Sequence, residues 1–70
     1  MMTLRQALKQ IRADLKADNV TYLSGPRQYD CDRGILYVRN KPAGGGSLLA
    51  GVFRATLEDE SCRKLATYKI

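Results

Sequence analysis

Leu4, Leu8, Ile11 and Leu15 step along the chain by four, three and four, with polar residues filling most of the positions between them. That spacing lays one apolar stripe down a helix and predicts a helix over residues 3–18. Thr3 and Gln6 match the Thr-x-x-Gln capping box at its start. Asp18-Asn19 closes it, with Asn19 suited to a left-handed cap.

Beyond residue 19 the helical period is lost. Val20–Ser24 is β-branched and aromatic and predicts a first strand. Gly25-Pro26-Arg27-Gln28 predicts a turn. Residues 34–39, GILYVR, predict a second strand, and residues 48–57, LLAGVFRATL, a third. The stretch NKPAGGGS between them is expected to be a long hairpin loop joining antiparallel strands. Lys41 stands on its proline-braced side. Gly44, Gly45 and Gly46 make a flexible tip whose bare backbone is free to approach a ligand closely. No lysine follows these glycines, so the Walker phosphate loop is excluded.

The last segment, EDESCRKLATYKI, fits two patterns. Thr56 with Asp59 forms a cap pattern. Glu58, Asp59 and Glu60 precede Arg63, Lys64 and Lys69, as a helix dipole favours. Read as a strand, Cys62, Ala66, Tyr68 and Ile70 share a side, with Lys64 among them. The helix is the preferred expectation. The predicted fold is therefore α+β in the order αβββα, an N-terminal helix packed on a three-stranded antiparallel sheet with a short C-terminal helix. The alternative is αββββ, a helix and a four-stranded antiparallel meander. Both are a single small domain over residues 1–70. The αβββα order with basic flanks is similar in outline to double-stranded-RNA-binding domains. Those carry a Lys-Lys-x-x-x-Lys cluster at the start of the last helix, where this chain has the acidic EDES. That family is therefore not assigned.

Seventy residues lie near the lower limit for a core without staples, with a margin of about 3–5 kcal/mol. The 44% hydrophobic and 27% charged residues suit a globular protein. No apolar run approaches the ~20 residues of a membrane span. The N-terminus turns amphipathic at once, so a cytoplasmic protein without membrane partners is expected. A net charge of +5 and a pI of about 9.6 favour polyanionic partners.

The charge also has a pattern. Arg5, Lys9, Arg12 and Lys16 step by four, three and four and form a basic ridge ~16 Å long on the helix. In the second strand Tyr37 and Arg39 share a face with Arg33, Ile35 and Lys41 by the period of two. Arg54 falls on one side of the third strand with Val52. Joined, these residues set an aromatic ring among guanidinium groups. Such a surface holds single-stranded nucleic acid, and it also suits a protein interface.

Catalytic chemistry has little support. The chain has no histidine, and Cys31 and Cys62 are too few for structural zinc. Cys31 lies between two carboxylates and makes a poor nucleophile. Ser61-Cys62-Arg63-Lys64 has the Ser-x-x-Lys spacing without the companion motifs that chemistry needs. No catalytic residue, metal or cofactor is expected. The expected function is that of a small basic non-enzymatic binding protein. It would contact nucleic acid through Arg5, Lys9, Arg12, Lys16, Tyr37, Arg39, Lys41 and Arg54. The alternative is a protein–protein interaction module or inhibitor of phage or mobile-element type. That module would act on an acidic or nucleic-acid-binding protein, or pair as a homodimer through a sheet face.

Overall fold

The computed structural model describes the backbone of residues 1–20, 22–42 and 48–70, and the side chains of 1–20, 22–40 and 53–70. It is an α+β fold of one helix and one sheet, in the order α1 (Leu4–Ala17), β1 (Arg27–Cys31), β2 (Gly34–Pro42), β3 (Leu48–Glu58) and β4 (Lys64–Lys69). The strands form a four-stranded antiparallel meander whose spatial order follows the chain, β1-β2-β3-β4. The αββββ order is the observed one.

Helix α1 begins at the expected box. The Thr3 side chain accepts from the Gln6 backbone N–H at 3.2 Å, and the Gln6 side chain accepts from the Thr3 N–H at 2.9 Å. It ends with Asn19 at φ 50°, where the Asn19 N–H donates to the Lys16 carbonyl and the Val20 N–H to the Leu15 carbonyl. These are the paired bonds of a Schellman stop. The buried stripe is Ala7, Ile11 and Leu15, while Leu4 and Leu8 pack at its margin. It meets Leu36 and Val38 of β2 and Phe53, Ala55 and Leu57 of β3. Full burial of each large apolar side chain contributes roughly 1.5–3 kcal/mol.

Two strand expectations are corrected. Residues 20 and 22–24 form no strand, and the first strand is Arg27–Cys31, which takes in Arg27 and Gln28 of the expected turn. Pro26 has no N–H to give a ladder, so the strand starts after it. The sequence RQYDC puts only alternate residues on the core, because successive side chains of a strand point to opposite faces. Leu23 is buried without strand pairing. The Asn40 side chain holds it, accepting from the Leu23 N–H at 3.0 Å and donating to the Leu23 carbonyl at 2.7 Å. One side-chain amide thus supplies both bonds of a missing ladder rung.

The C-terminal helix is not seen, and residues 64–69 form β4. Asp59 does not cap a helix. Its carboxylate accepts from the Ser61 N–H, the Ser61 hydroxyl and the Arg63 N–H at 2.8–3.1 Å and closes the β3–β4 turn. Cys62 in that turn has φ 64°, which no continuing helix allows. Cross-strand pairing with β3 overrides the helix propensity of the segment. Both cysteines are free, Cys31 buried and Cys62 exposed. No helix among the described residues is long and apolar enough to cross a membrane.

Candidate functional site

A sheet has two faces, and here α1 covers one of them. The alternation of the strands sends Leu36, Val38, Phe53, Ala55 and Leu57 to the covered face. The intervening residues therefore fall on the open face. Register sorts them into three rows across the strands. At the turn end, Asp30 pairs with Ile35, Ile35 with Glu58 and Glu58 with Lys64. In the middle, Gln28 pairs with Tyr37, Tyr37 with Thr56 and Thr56 with Thr67. At the far end, Arg39 pairs with Arg54 and Arg54 with Lys69.

The far row is three cations side by side on adjacent strands, all exposed. Like charges directly opposite each other destabilise a sheet. None of the three makes an ion pair among the described residues, where the ion pairs are Arg27–Asp18 at 2.9 Å and Arg63–Asp59 at 3.5 Å. Residues 33–57 contain no Asp or Glu at all. Glu58, four residues along β3 from Arg54, is about 13 Å away at ~3.3 Å per residue. That exceeds the ~8–10 Å Debye length, so the carboxylates of the turn-end row do little to neutralise the basic one.

The middle row differs in character. Tyr37 is half-buried, and Thr56 between Tyr37 and Thr67 is only 7% exposed. Thr56 is thus enclosed on a face with no covering element among the described residues. Gln28 and Thr67 are exposed beside it.

The sequence-predicted residues divide into two groups. Tyr37, Arg39 and Arg54 come together on the open face, with Arg39 and Arg54 as direct partners. Arg5, Lys9, Arg12 and Lys16 are all exposed on α1, which packs on the opposite face. The two basic surfaces therefore do not merge, since the sheet lies between them. Lys41 falls in β2, and its side chain lies outside the described residues. The expected loop tip, Gly44, Gly45 and Gly46, also lies outside them.

Lys69 and Thr67 join the face without having been anticipated. Their signal is the strand reading of residues 64–69, in which Thr67 and Lys69 alternate with Ala66 and Tyr68. Leu65 is the extra residue of a bulge, since Leu57 pairs with Ala66 and Glu58 with Lys64. The bulge shifts the parity of the strand, which is why Lys64 does not share a side with Ala66.

Three titrating groups are displaced, and each belongs to a structural contact. Burial raises the Tyr29 phenol, and its hydrogen bond to the Asp14 carboxylate raises it further. The Asp18 carboxylate raises the Arg27 guanidinium. Hydrogen bonds from Ser61 and Arg63 hold the Asp59 carboxyl below its ordinary range. A groove of about 590 Å³ lies between the β1–β2 and β3–β4 turns, lined by Cys31, Asp32, Gly34, Asp59 and Ser61 among others. It sits at the opposite end of the sheet from the basic row. No group of three His, Cys, Asp or Glu residues suited to a metal ion occurs among the described residues. Comparison with protein-family models, with curated proteins and with solved structures returned no match to this chain.

Proposed function

We propose that this chain is a small binding protein without chemistry of its own, and that it contacts nucleic acid through the open face of its sheet. The observation that carries the reading is the cross-strand row Arg39–Arg54–Lys69. Three cations on neighbouring strands repel one another, and no Asp or Glu side chain lies within a Debye length along their strands. A bound polyanion removes that repulsion and releases its own counterions. The helix cations support the reading less well. They are spread along a solvated helix whose stems shelter the edge of the core.

The test is fluorescence anisotropy of a labelled oligonucleotide between 50 and 200 mM salt. Three phosphate contacts give a slope of log K against log salt near −2 for a single strand. Affinity then falls roughly 20-fold over that range. Arg39→Gln with Arg54→Gln removes most of the binding, while Lys9→Gln with Arg12→Gln leaves it nearly unchanged. Salt-independent binding, or loss confined to the helix variant, contradicts the proposal.

A further inference from the structure

We infer that the open face is built for a single strand of nucleic acid in one orientation, with phosphates along Arg39–Arg54–Lys69 and bases laid over Tyr37 toward the turn end of the sheet. This inference rests on the reading of the face as a nucleic-acid surface and adds the form of the ligand.

Width argues against a duplex groove. Four strands at ~4.8 Å spacing make a face about 14 Å across, wider than the ~12 Å major groove. The groove admits a helix or a two-stranded ribbon, and a four-stranded face is broader than either. A flat face of this kind instead meets bases that are already unstacked.

The order of the rows supplies the orientation. Tyr37 is two residues from Arg39 on β2, about 7 Å along the strand. A nucleotide whose phosphate meets Arg39 can place its base over the Tyr37 ring, where stacking is available to any base. Gln28 and Thr67 stand exposed in the same row and offer an amide and a hydroxyl to base edges. Beyond them the row Asp30–Ile35–Glu58–Lys64 sets two carboxylates against one cation, so it attracts a phosphate backbone less than the all-cationic row at the far end. The cationic row runs across three strands and spans about 10 Å, with one cation on each strand. The ligand backbone therefore runs across the strands rather than along them.

The experiment compares three fluorescein-labelled probes of equal phosphate number by anisotropy. They are an oligodeoxythymidylate, its abasic counterpart and a duplex. The thymidylate is expected to bind at least 10-fold tighter than either of the others. Tyr37→Leu lowers its affinity about 5- to 100-fold with the salt slope unchanged, and Tyr37→Phe, which keeps the ring, restores most of it. Arg54→Gln lowers the slope by about 0.7. Circular dichroism checks that each variant is folded. If Tyr37→Leu does not fold, the wild-type comparison of the three probes decides alone. Equal binding of the abasic probe or the duplex overturns the single-strand inference and leaves the nucleic-acid reading standing. Failure of all three probes to bind at 50 mM salt overturns both.

Discussion

The Tyr29 hydroxyl donates a hydrogen bond to the Asp14 carboxylate at 2.9 Å, tying edge strand β1 to helix α1. Asp14 also accepts from the Gln10 side chain at 2.7 Å, so its carboxylate is held from both sides. Tyr29→Phe keeps the ring in the core margin and removes the hydroxyl, with its bond to Asp14 and its interaction with the Arg27 guanidinium. The expected loss is about 1–2 kcal/mol, as for a partly buried hydrogen bond to a charged group. The same contact makes a pH prediction. The folded state holds the Tyr29 proton above its ordinary value, so the stabilisation is full below pH ~10 and is lost as pH rises through the raised value. Urea denaturation between pH 8 and 11.5 should show an alkaline decline that is shallower in Tyr29→Phe.

Gly34 leaves the β1–β2 turn at φ 140°, and a Cβ built there overlaps the carbonyl oxygen of Glu58 on β3. Both the backbone conformation and the close approach of two strands exclude a side chain. Gly34→Ala is expected to cost about 2–4 kcal/mol. A domain with a margin of ~3–5 kcal/mol would then be largely unfolded, as a loss of the cooperative thermal transition would show. Gly25 is the control, since a Cβ there meets nothing within 4 Å. Gly25→Ala should be neutral or stabilising by up to about 1 kcal/mol.

Asn40→Asp tests the side-chain rung that holds Leu23. The acceptor for the Leu23 N–H survives, but the donor to the Leu23 carbonyl is replaced by an oxygen that repels it. The expected cost is about 2 kcal/mol, and Asn40→Ala should cost about the same. Hydrogen exchange at the Leu23 amide should quicken more in Asn40→Ala than in Asn40→Asp.

Asp59→Asn tests the turn that replaces the expected C-terminal helix. The depressed carboxyl means that its contribution is full above its ordinary value and is lost as pH falls through the folded value. The wild-type melting temperature should therefore drop below pH ~4, and the variant should show a lower value at pH 7 with a flatter acid limb. An unchanged melting temperature at pH 7 would mean that the turn forms without this carboxylate.

How far each part of the molecule is legible in its sequence follows from where its information lies. Helix α1 is legible down to its caps because Thr3, Gln6 and Asn19 act on their own near neighbours. Strands β2 and β3 are legible because each carries a compact apolar run, ILYV in β2 and LLAGVF in β3. Of the edge strands, β1 is not legible, and β4 is legible only as the alternative strand reading of the last segment. Tyr29 and Cys31 face the core from a segment whose other residues are polar, and β4 acquires its state from the register with β3. The pairing of Arg39 with Arg54 follows from alternation once that register is known. Lys69 needs the fourth strand first. The separation of the helix cations from the strand cations depends on which face α1 covers, a tertiary fact with no local signal.

The chain-order arrangement of the strands has a kinetic consequence. Each strand docks on the one made just before it, so no pairing has to wait for a distant segment to return. The loop-closure entropy of each step stays small. Mixed α/β domains of such low contact order fold faster than sheets with crossovers. The residues preceding β1 are tied to the sheet by the Asp32 N–H donating to the Met2 carbonyl at 2.8 Å, by Tyr29 to Asp14 and by Asn40 to Leu23. The hairpins can therefore assemble first and the N-terminal third close over them last. Substitutions in that third would then appear mainly in the unfolding rate.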